Sequence, residues 1–116
     1  MEKDLGFGPT LPSLRSFVLY RKVYYVARIV HGVDLAGELR EQMVRAATSV
    51  VLNVAEGSGQ PSVAQRRRYW GIARGSVREV AAAADLAAIR LGDRADLGRL
   101  AGLLVEADRI LGKLTR

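Results

Sequence analysis

Cysteine is absent from this chain of 116 residues, which removes disulfides, thiolate metal ligands and thiol nucleophiles together. The same absence suits a reducing compartment, so the cytoplasm is the expected location. Histidine occurs once, as His31, too few to build a zinc site or the Glu-x-x-His pairs of a di-iron bundle. As a general base His31 would need a nucleophile or an orienting acid, and Asp34 is the sequence-local candidate. Interaction with helix-end carbonyls is the competing reading. Long apolar runs are missing too: Arg, Lys or Glu interrupts each stretch well before the roughly 18 residues of a membrane span. Met1-Glu2-Lys3-Asp4 is mixed in charge and is followed by Gly6, Gly8, Pro9 and Pro12, unlike the basic start and apolar core of a signal peptide. Gly57-Ser58-Gly59 lacks the Lys of a phosphate loop and follows a helix pattern, not a strand. These absences point to a protein without catalytic residues, metal or cofactor, and away from the membrane.

The pattern that is present is helical throughout. Residues 1–12 read as an irregular lead-in and 13–116 as one domain. A first helix is expected from Ser13, its apolar residues covering more than one face from Leu14 to Val30, and His31-Gly32 ends it with Gly32 in the left-handed position. Asp34 is the expected N-cap of a second helix from about Leu35. There Leu39, Met43, Ala47, Val50 and Val54 recur as a core stripe, with Glu41 and Arg45 expected to form an i,i+4 ion pair on the solvated side. That helix stops at Gly57. Ser62-x-x-Gln65 matches a capping box opening a third helix to Leu91, with Tyr69, Ile72, Ser76, Val80, Ala83 and Ala87 as its stripe. Gly92 terminates it, and Leu97, Leu100, Leu104, Ala107, Leu111 and Leu114 form the seam of a fourth. With short connections the expected architecture is an all-α, up-down-up-down antiparallel four-helix bundle.

The net charge is +6, and residues 61–90 hold six Arg against two acidic residues. Arg67, Arg74 and Arg78 fall on one face of the third helix, with Arg66 and Arg68 beside its first turn and Trp70 following. Guanidinium groups hold phosphates and an aromatic stacks on bases, so these six residues are the candidate nucleic-acid-binding set. A solvated face with the aromatics in the core or at a subunit interface is the competing reading. Glu56 is expected to offset the three Arg that oppose the helix dipole. Glycines at 71, 75, 98 and 102 fall at Gly-x-x-x-Gly spacing and suggest close helix packing, with a ligand or peptide gap as the alternative. Thin helices and a first helix too apolar for one interface together favour self-association.

The segment Leu39–Val50, then Asn53-Val54-Ala55-Glu56-Gly57, and then Ala73-Arg74-Gly75-Ser76-Val77-Arg78-Glu79 resembles the four-helix-bundle family of the ribosomal RNA intervening-sequence proteins. The resemblance covers about half of the chain. It implies a bundle assembled into a ring, commonly a homopentamer, without known catalytic activity, in bacterial proteins encoded within large-subunit ribosomal RNA genes or free-standing. A related branch, the accessory protein of diversity-generating retroelements, is a basic pentamer that binds a reverse transcriptase and nucleic acid. Matching motif positions are Asn53, Glu56, Gly57, Gly75, Ser76 and Glu79, with structural roles implied; Asn53 and Glu56 would tie the second helix to the third. The sequence departs from the pattern at His31–Gly37, where a Phe-Pro pair is common, and at Gln65-Arg66, where an acidic-aromatic pair is usual. The expected function is therefore binding of RNA or DNA, through the basic face of a homo-oligomer. A scaffold or accessory role toward another protein, such as a reverse transcriptase, is the alternative.

Overall fold

The computed structural model describes residues 8–116, so the lead-in expectation for residues 1–7 lies outside the described residues. Five helices are present and no strand occurs among the described residues: α1 (Pro12–Arg15), α2 (Val18–Gly32), α3 (Glu38–Ser58), α4 (Val63–Leu91) and α5 (Ala95–Leu114). Packing runs in a cycle, with α3 against α2 and α4, and α5 against α4 and α2. A single core lies at the centre of this cycle.

The expected first helix is two elements. Phe17 is extended, with φ −80° and ψ 111°, which separates the single turn α1 from α2. The break sets the Phe17 ring against Trp70, with centroids 6.3 Å apart. Within α2, Leu19, Val23, Val26 and Val30 are buried, and Tyr20, Ala27 and Ile29 are partly buried against the same core.

The α2–α3 connection also differs from expectation. Gly32 closes α2 without a left-handed backbone, and the following Val33 is extended and buried. Asp34 is not the cap of α3; the helix starts at Glu38 behind Gly37, whose φ of +81° requires glycine. Arg40 instead secures this connection by donating to the carbonyls of His31 and Val33.

Further along, the expected pattern holds more closely. Leu39, Met43, Ala47, Val50 and Val54 are all buried in α3, and Leu97, Leu100, Leu104, Ala107 and Leu111 in α5. The Ser62 hydroxyl accepts the Gln65 backbone N–H at 3.1 Å, capping α4. Gly92, at φ +74°, ends it. The register of α4 is the main correction: Trp70, Ala73, Val77, Val80 and Ala87 face the core, whereas Tyr69 is half-buried and Ile72 is 47% exposed. Seating the large indole inside turns the helix so that the row next to the expected one points inward, and only Ser76, Val80, Ala83 and Ala87 belong to both.

Candidate nucleic-acid interface

The site rests on a joint between α3 and α4. The Trp70 indole N–H donates to the Val54 carbonyl at 3.2 Å, one turn before the end of α3. Its ring lies over Gly57 so closely that a Cβ there would meet Nε1 at 2.5 Å and Cδ1 at 2.6 Å. Gly57 is therefore glycine because the indole occupies the space of any side chain. Trp70 was expected to stack on a base; it is 9% exposed with its one donor satisfied, so it is removed from the binding set and placed in the joint.

A polar chain continues the joint along the helix pair. Ser76 is buried, and its hydroxyl lies 2.8 Å from that of Ser49. Asn53 donates to the Ser49 carbonyl and hydroxyl. Asn53 and Ser76 thus reach one another through Ser49, a residue the motif reading did not single out. Glu56 does not offset the arginines directly. Its carboxylate accepts from the Gln60 side chain at 3.0 Å, while Arg66 donates to the Gln60 carbonyl at 3.0 Å. Arg66 is half-buried in that contact and fastens the α3–α4 turn. Gly75 and Glu79 are exposed on α4 and make no contact with this network.

With α4 fixed, the remaining cations can be placed. Arg67, Arg68 and Arg78 are exposed and Arg74 is half-exposed. Arg67, Arg74 and Arg78 line the side of α4 that meets α5, because Arg74 bonds Asp108 at 3.0 Å and Arg78 approaches the same carboxylate at 3.6 Å. Arg68 lies around the helix from that row. Two guanidinium groups share one carboxylate, which leaves the row net positive. The Arg74 hydrogen bond holds the Asp108 carboxyl below its ordinary range, against the opposing effect of burial; the same bond raises the Arg74 guanidinium further. Across the α4–α5 seam the row continues. Gly112 lies under the Arg74 guanidinium, whose Nη2 is 3.0 Å from where a Cβ would be; Arg109, one turn earlier on α5, and Arg116, just past the end of that helix, are exposed. The sequence reading missed these two, although their three- and four-residue spacing around Gly112 was available to it.

Intramolecular close packing does not account for the glycine pairs. A Cβ at Gly71, Gly75, Gly98 or Gly102 would meet nothing within 4 Å. Among the described residues no group of acidic or histidine side chains is placed to hold a metal ion, and no helix is long and apolar enough to cross a membrane.

A family model described as 23S rRNA-intervening sequence protein matches residues 15–113. The chain belongs to this family. Its membership agrees with the motifs at Asn53–Gly57 and Ala73–Glu79. Among solved structures, the crystal structure of a protein of unknown function from the S23 ribosomal protein family of Bacteroides thetaiotaomicron is similar, with a TM-score of 0.67. The two share 17% identity over 88% of this chain and 95% of that one, a likeness of fold alone. A search of curated proteins finds no match. For this intervening-sequence family member, the geometry separates two sets within the motif region: Asn53, Gly57, Trp70 and Ser76 build the helix joint, and the arginines beyond it face solvent.

Proposed function

We propose that the chain is a non-enzymatic, up-down-up-down bundle that assembles into a ring, of which a pentamer is the family precedent, and binds nucleic acid, RNA foremost. The binding row is Arg67, Arg74 and Arg78 on α4, with Arg68 around the helix from it, Arg109 added from α5 and Arg116 from the residues that follow α5. Arg66 and Trp70 leave the site because each serves the fold. The observation that carries this reading is that Arg74 and Arg78 share a single carboxylate, Asp108, across the α4–α5 seam, which leaves the exposed row they belong to net positive. Clustered arginines neutralise phosphates and release counterions without base specificity, so affinity for generic RNA is the expected activity. The family name supports RNA as the first ligand to try. A direct test is gel-shift binding of an RNA fragment by wild type and by the double variant Arg67→Glu/Arg78→Glu. Arg74 is spared because its bond to Asp108 is structural. Unchanged binding by the variant would sink the proposal.

The second reading, a scaffold or accessory subunit toward another protein such as a reverse transcriptase, draws on exposed apolar side chains on α3, α4 and α5, among them Leu52, Ile89 and Val105. It is favoured if a protein partner co-purifies stoichiometrically and RNA does not.

A further inference from the structure

We infer that the ring is closed by a head-to-tail contact in which the α2/α3 flank of one copy seats on the α4/α5 flank of the next. This rests on the self-association reading above and names the two faces that reading leaves open. Because the four long helices pack in a cycle, these flanks are opposite sides of the bundle. They are both apolar and unlike in shape. On α2/α3, Leu52 projects with 62% exposure beside Tyr20, Tyr24 and Val51. On α4/α5, Ala81, Ala84, Ala101 and Val105 line a shallow groove of about 320 Å³, and Val105 is 68% exposed.

The flanks also differ in charge. Arg45 lies on the same α3 stripe as Leu52, seven residues away, and Asp85 borders the α4/α5 groove. Both are exposed, and among the described residues neither forms an ion pair, the expected Glu41–Arg45 pair included. A second copy of this chain supplies each with its counter-charge. A glycine adds a third observation. Gly98, Ala101 and Val105 recur at three- and four-residue spacing along the α5 side of this flank, and Ala82 and Asp85 lie three residues apart along α4. Gly98 costs helix stability and faces open space within one chain; a neighbouring helix approaching closely fills that space. A contact between two unlike faces is heterologous, and a heterologous contact closes into a ring when its rotation permits. The groove runs from Ala81, Ala84, Ala101 and Val105 to Arg78 and Asp108 at the near end of the arginine row, so a seated copy adjoins that end of the row.

The test uses complementary variants of the full chain, read by light scattering coupled to size exclusion. Leu52→Arg disables one flank and Val105→Arg the other, and circular dichroism checks that both remain helical. Each variant alone is expected to run as a monomer. Mixed one to one, they are expected to form a dimer of twice the monomer mass and stop there, since one live flank of each remains and the two outer flanks are dead. If either variant keeps the wild-type mass, or the mixture stays monomeric while wild type is oligomeric, the assignment of faces is overturned and the ring reading survives. If wild type is itself monomeric, the ring reading fails and the inference with it. Should an arginine variant lose its helicity, Arg45→Asp and Asp85→Arg replace the pair, with loss of oligomer in each and recovery in the double variant as the expected result; no recovery overturns the inference.

Discussion

At the residue scale the joint between α3 and α4 makes the sharpest predictions. A methyl group at position 57 would overlap a rigid indole that is itself hydrogen-bonded to the Val54 carbonyl, and neither neighbour is the free end of a flexible chain. Gly57→Ala is expected to destabilise the protein by about 1–3 kcal/mol, the range for overpacking a core, measured as a shift in the urea midpoint at unchanged slope. A midpoint equal to wild type would show that the indole yields freely. Ser76→Ala removes one member of the Asn53–Ser49–Ser76 chain, but Ser49 keeps Asn53 as a partner. Its expected cost is therefore smaller, about 1 kcal/mol. Gly57 was legible in the sequence as a motif position but not as a packing position. Its reason is Trp70, thirteen residues on, and nothing in local periodicity relates a helix-end glycine to the tryptophan that covers it.

At the element scale, pH dependence follows from Asp108. Its carboxyl is held below the ordinary value chiefly by the hydrogen bond from Arg74, so the folded state binds its proton less readily than the unfolded state. The stabilisation is fully present above the unfolded value of about 3.9 and is lost as pH falls through the lower folded value. Asp108→Asn is expected to be less stable than wild type at neutral pH, with the difference shrinking in acid. Thermal melts across that range check it, and a pH-independent difference would contradict the assignment. The Lys22–Glu106 pair between α2 and α5 is half-exposed, so solvent screens it and it adds little to stability. The stripes of α3 and α5 were readable because each has one dominant apolar row. In α4 alanines and glycines surround the helix, so periodicity fits two adjacent rows and the position of Trp70 decides between them. The α1–α2 break is set by Phe17 packing on a distant aromatic, and a continuous apolar pattern gives no sign of it.

At the scale of the whole molecule, the arginine row is an assembled surface. Arg67, Arg74 and Arg78 could be read from α4 alone, but the proposed extension onto Arg109 depends on the packing of α4 on α5, which sets Arg74 on Asp108 and over Gly112. Assembly would repeat this surface around a ring, and avidity then exceeds that of one copy. A monomeric variant with an intact row is accordingly expected to bind a long RNA more weakly than wild type while binding a short oligonucleotide equally well. The measurement that bears most directly on the central claim is the salt dependence of RNA affinity for wild type and Arg67→Glu/Arg78→Glu. If the row contacts phosphates, log affinity falls linearly with log salt, and losing two contacts makes the slope shallower by roughly 1.4 for single-stranded RNA, at about 0.7 per phosphate. Equal slopes and equal affinities would mean that nucleic acid, if bound at all, is held elsewhere.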